Sequence, residues 1–97
     1  MDLVIDLIDA ATQAIATPGS ENLVLNTRKM IRLVNRACRY ELIDLAGAAR
    51  ILTRWNRLKE AIEVCKPASV TYDERLGNLK GELERTFNIR LTERIAV

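Results

Sequence analysis

Between residues 21 and 65 the sequence contains no proline and a single glycine, Gly47. Proline removes a backbone donor and glycine weakens regular structure, so these two residues punctuate most folds. A stretch of this length without them does not suit a series of short strands and tight turns, and it predicts long helices. Breakers frame it on both sides, Thr17-Pro18-Gly19-Ser20 before it and Lys66-Pro67-Ala68-Ser69 after it. The 97 residues, 48% apolar and 29% charged, suit one globular domain spanning 1–97.

Apolar spacing fills in the helices. Val4, Leu7, Ile8, Ala11 and Ile15 recur at three and four residues and predict a first helix over 2–16. Asp2 is its expected N-cap, and Asp6 and Asp9 fall on the face opposite the stripe. Ser20 is the expected cap of the segment that follows. Asn26 or Thr27 is expected to cap a helix ending near Arg39, with Met30, Ile31, Leu33, Val34, Ala37 and Cys38 turned inward. The next helix is expected from about Glu41 to Cys65 on Leu45, Ala48, Leu52, Trp55, Leu58 and Ile62. No turn residue marks the reversal near Cys38 to Glu41.

Thr71 followed by Glu74 is a capping-box pattern that opens a further helix. Tyr72, Leu76, Leu79, Leu83 and Phe87 form its narrow apolar stripe. Gly77 and Gly81 lie beside the stripe, where they either admit a closely approaching backbone or are simply tolerated. After residue 88 the period changes. Ile89, Leu91, Ile95 and Val97 are separated by polar residues, so 88–97 read as an extended tail or a strand that lacks a pairing partner in the chain. The expected fold is therefore all-α, a small helical bundle of about four helices with a short extended C-terminal segment.

The chemical inventory is bare. Histidine is absent, which removes the commonest general base near neutral pH and the commonest metal ligand. Cys38 and Cys65 are far apart on apolar faces and read as buried thiols, neither a disulfide nor a metal pair. No phosphate-binding glycine loop, nucleophile elbow or zinc-protease helix motif occurs. No catalytic, cofactor or metal residues are expected, and the chain is read as a non-enzyme. No apolar run reaches the roughly 18 residues of a membrane span, so a soluble, cytoplasmic protein without membrane contact is expected.

Charge is strongly segregated beneath a net value of +2. Residues 1–21 carry four acidic groups and no basic one. Residues 22–59 carry nine basic groups against Glu41 and Asp44, a local net of +7. At about 100° per residue, Arg28, Arg32, Arg36 and Arg39 fall within an arc of roughly 80° opposite the apolar face. Arg50, Arg54 and Arg57 form a second row. Like charges one turn apart repel by roughly a few tenths of a kcal/mol, so an anionic surface against the rows relieves them.

These seven arginines are the candidate partner-binding residues. The sequence leaves three uses open: a solvated face partly neutralised by acidic groups of the first or last helix, a dock for an acidic protein surface, or a contact to nucleic-acid phosphates. The acidic protein surface is the favoured partner and makes the chain an interaction module or regulatory subunit. A nucleic-acid accessory role is the alternative, weakened by the acidic first helix and by scarce aromatics. Self-association into a homo-oligomer through residues 72–97 is a further expectation.

Overall fold

The computed structural model describes residues 2–17, 19–64 and 70–88, the side chains of Asp2 and Val70 excepted. The described residues form four helices: α1 Asp2–Ala16, α2 Ser20–Arg39, α3 Leu45–Val64 and α4 Val70–Phe87. Among the described residues there is no strand. A twenty-residue helix is about 30 Å long, and the molecule measures 36 × 28 × 20 Å, so the helices lie side by side as a small bundle. The most extensive pairings are α3 with α4 and α1 with α2, with α2 against α3 next.

α1 has the expected bounds, and the expected capping role of Asp2 concerns a side chain outside the described set. Val4, Leu7 and Ala11 of the predicted stripe are buried, joined by Ala10 and Ala14. The link between α1 and α2 differs from expectation. Ser20 is the first residue of α2 and not its cap; Gly19 occupies that position, at φ 155°, with no side-chain cap. Asn22 instead reaches back across the link. Its Nδ2 donates to the carbonyls of Gln13 at 2.9 Å and Thr17 at 2.8 Å, satisfying acceptors that the end of α1 leaves open.

Asn26 and Thr27 do not start a helix either. Both lie inside α2, where the Asn26 amide and the Thr27 hydroxyl donate to the carbonyls one turn back, Asn22 at 2.9 Å and Leu23 at 2.8 Å. The same short polar side chains that cap helix starts also back-bond inside helices. This choice turns the buried Asn26 into an internally satisfied residue.

α2 stops through backbone hydrogen bonds. The amide of Leu42 donates to the Ala37 carbonyl at 2.9 Å and that of Glu41 to the Cys38 carbonyl at 3.0 Å, while Glu41 takes φ 58°. This is a Schellman closure with a glutamate in the left-handed position that glycine usually fills. α3 then begins at Leu45, later than Glu41, because Asp44 caps it: its Oδ1 accepts the Gly47 amide at 2.7 Å. Leu45 was expected on the core stripe and is instead 82% exposed. It lies roughly a third of a turn away from the line of Ile51, Trp55 and Leu58. Ile51, absent from the expected stripe, is fully buried in its place.

α3 and α4 run antiparallel. The Tyr72 hydroxyl donates to the Ile62 carbonyl, Arg75 Nη1 to the Arg57 carbonyl and Arg50 Nε to Glu82, so positions fall along α4 as they rise along α3. α4 begins at Val70, one residue ahead of Thr71, and the positions that cap it lie outside the described residues. Leu79 and Leu83 close the core with Trp55, Met30 and Leu58, and Tyr72 is buried as well. Trp55 is 1% exposed, and its Nε1–H has no acceptor among the described residues. Asn88, at φ 55°, ends α4; the tail expected beyond it, residues 89–97, lies outside the described set.

Candidate functional site

The two rows of arginines have different surroundings. Arg28, Arg32, Arg36 and Arg39 are all exposed on the outer side of α2, and none has an ion-pair partner among the described residues. Asp6 and Asp9 of α1 are also exposed and also without an ion-pair partner among the described residues, so neither bonds to the ridge. Placing Asn22 on the α1 side of α2 and Leu23 on the core side, the arginine arc faces outward and leans toward α1.

The ridge is not purely basic. Leu25, 64% exposed, falls within the arginine arc, and Val24 and Ile31 lie exposed along one flank. Val24 stands between two hollows. One, about 390 Å³, is lined by Ser20, Glu21, Val24, Leu25 and Arg28. The other, about 400 Å³, lies where the start of α2 meets the end of α3 and includes Leu23, Val24, Lys59 and Ile62.

The second row is drawn onto α4. Glu82, which the sequence did not single out, is 3% exposed and gathers donors from both helices. Arg50 Nε lies 3.3 Å from Oε2, Arg54 Nε 3.8 Å from Oε1, Arg85 Nη2 3.4 Å from Oε1 and the Thr86 hydroxyl 3.2 Å from Oε2. Burial pushes the Glu82 carboxyl pKa up, but the hydrogen bonds from Thr86, Arg85 and Arg50, with the charge of Arg85, outweigh it and hold it below its ordinary value. The carboxylate stays charged. Arg57 remains exposed beside this cluster, its carbonyl taken by Arg75.

The structure thus separates the seven candidate residues into an unpaired ridge on α2 and a partly neutralised cluster between α3 and α4. Glu82 carries a local hint in sequence, since Arg85 follows three residues later on the same helix. Its partners on α3 are 28 and more positions away, beyond the reach of spacing arguments.

Close approach of helices occurs at another glycine than those expected. A Cβ on Gly47 would lie 2.7 Å from the Thr86 methyl, whereas nothing lies within 4 Å of the corresponding position at Gly77. Of the expected stripe, Tyr72, Leu79 and Leu83 are buried within the chain, while Leu76 and Phe87 are half-buried. Cys38 is a half-buried free thiol, while Cys65 lies outside the described residues. Among the described residues, no group of three or more Cys, Asp or Glu is placed to hold a metal ion, and no helix is long and apolar enough to cross a membrane. Comparison with protein-family models, with curated proteins and with solved structures gave no match.

Proposed function

We propose that this chain is a non-enzymatic interaction module, a small regulatory subunit that binds an acidic protein partner along the outer face of α2. The observation that carries this reading is the set of four exposed arginines, Arg28, Arg32, Arg36 and Arg39, without ion-pair partners among the described residues and with Leu25 exposed among them. Arginine pairs with carboxylates through two parallel hydrogen bonds and is weakly hydrated, which suits it to interfaces. Leu25 and Val24 supply apolar area that a partner removes from water.

Apolar side chains within the ridge favour a protein partner over the alternative, a nucleic-acid backbone, because phosphates gain little from Leu25. The free thiol of Cys38 suits a reducing, cytoplasmic compartment.

The double variant Arg32→Glu with Arg36→Glu tests the reading. Binding of a fluorescent acidic amphipathic helical peptide is compared with binding of an oligonucleotide of equal charge. The peptide binds the native chain more tightly, and the double variant loses it while keeping its circular-dichroism helix signal. Tighter binding of the oligonucleotide selects the alternative, and loss of the helix signal makes the ridge a structural element.

A further inference from the structure

We propose that Arg50 and Arg54, fixed by Glu82 between α3 and α4, form a binding site for a phosphomonoester group, separate from the α2 ridge. The two guanidinium groups flank a hollow of about 250 Å³, lined also by Ala49, Thr53 and Arg57 with Glu82 as its one carboxylate. Both arginines turn their Nε toward the same buried carboxylate, at 3.3 and 3.8 Å. A guanidinium is a rigid planar fork of five N–H groups. With the Nε edge, which one terminal amino group shares, directed at Glu82, the other terminal amino group of each arginine points away from it, and no terminal amino group of either has a hydrogen-bond acceptor among the described residues.

Those donors are both oriented and accessible. The Glu82 side chain is 4% exposed, while those of Arg50 and Arg54 are 54% and 34% exposed. The buried carboxylate therefore holds Arg50 by a hydrogen bond and draws Arg54 toward it as an ion pair, reducing the rotamer freedom that an anion would otherwise have to remove on binding. Thr53 contributes no donor, because its hydroxyl is committed to the Ala49 carbonyl at 2.8 Å. Recognition in this hollow falls to guanidinium groups.

Charge and size narrow the ligand. Arg50, Arg54 and Arg85 converge on one glutamate, leaving a surplus of two positive charges before Arg57 is counted. A phosphomonoester carries about −1.5 to −2 near neutral pH and presents three acceptor oxygens, whereas a carboxylate or a single phosphodiester carries about one negative charge. The hollow is below the roughly 300–1,000 Å³ of sites for drug-sized ligands, which suits one phosphoryl group and little of what bears it. Free phosphate and a phosphorylated side chain share this chemistry.

The test is a side-chain Nε–H NMR titration of the intact chain at constant ionic strength and about pH 7.5, above the second phosphate pKa of about 6. Sodium phosphate and an acetylated, amidated phosphoserine peptide are the two probes, with sodium acetate and a short oligonucleotide as competitors. The expected result is saturable displacement of the Arg50 and Arg54 resonances by phosphate, with acetate weaker by about tenfold. Binding by the phosphoserine peptide at least as tight as by phosphate identifies a phosphorylated side chain as the source, and binding by phosphate alone identifies the free anion.

Arg54→Lys keeps the charge but loses the Nε contact, and is expected to weaken phosphate binding at least about fivefold with its helix signal unchanged. Arg32→Lys on α2 leaves it unaltered. Equal binding of acetate, tighter binding of the oligonucleotide, an unaffected Arg54→Lys variant or the absence of saturation each overturns the proposal.

Discussion

Replacing Gly47 with alanine sets two effects of similar size against each other. Alanine is favoured over glycine by up to about 1 kcal/mol within a helix. At this position, however, the new methyl would sit 2.7 Å from the Thr86 methyl and 3.1 Å from the capping oxygen of Asp44. Thr86 is poorly able to yield. Its hydroxyl donates to Glu82 at 3.2 Å, and rotating it gives up a hydrogen bond to a buried carboxylate, worth about 1.5–3 kcal/mol. The other escape, separating α3 from α4, is an overpacking strain of about 1–3 kcal/mol.

Gly47→Ala is therefore expected to destabilise the chain by about 1–2 kcal/mol, a fall in midpoint of roughly 4–16 °C for a domain of this size. Removing the obstacle reverses the sign. In a Thr86→Ala background the same substitution is expected to stabilise by up to about 1 kcal/mol, and a urea-denaturation double-mutant cycle reads the coupling directly. Stabilisation by Gly47→Ala with Thr86 intact would refute the close helix approach on which this reasoning depends.

Trp55→Ala removes the largest fully buried side chain and is expected to cost about 3–5 kcal/mol by urea denaturation, whereas Trp55→Phe costs less, because it also deletes an indole N–H that has no acceptor among the described residues. The native indole should emit at the short wavelengths of an apolar setting. Glu82 has a lowered folded-state pKa, so its contribution is fully present above the ordinary value of 4.5 and is lost as the pH falls through the lower folded value. Glu82→Gln should cost about 1–3 kcal/mol at neutral pH and flatten the loss of stability in that acid window, measured as denaturation midpoint against pH. Glu41→Gly relieves a left-handed backbone at φ 58° and should stabilise by about 1 kcal/mol, read as a raised thermal midpoint.

Where the sequence breaks sharply, it also predicts sharply. The Pro18-Gly19 break leaves α1 with the bounds that its apolar spacing implies. Asn26 and Thr27 mislead because a side chain fit for capping is equally fit for back-bonding, and only the continuity of α2 decides between the two. The α2–α3 reversal is unmarked because a glutamate occupies the left-handed position, stabilised by two backbone hydrogen bonds that spacing does not reveal. The exposure of the α2 arginines follows from periodicity alone. The clustering of Arg50 and Arg54 on Glu82 does not, since it is created by the antiparallel packing of α3 on α4. For the same reason Gly47, and not the Gly77 and Gly81 pair, is the glycine at which helices approach.

The claim that the outer face of α2 is the binding surface is tested most directly by mapping, through backbone amide shifts, where an acidic amphipathic peptide contacts the labelled chain. Perturbations are expected to concentrate on Val24, Leu25, Arg28, Ile31, Arg32 and Arg36, to weaken with added salt, and to leave α4 unchanged. Shifts confined to the α3–α4 side, or spread evenly over the surface, would contradict the claim.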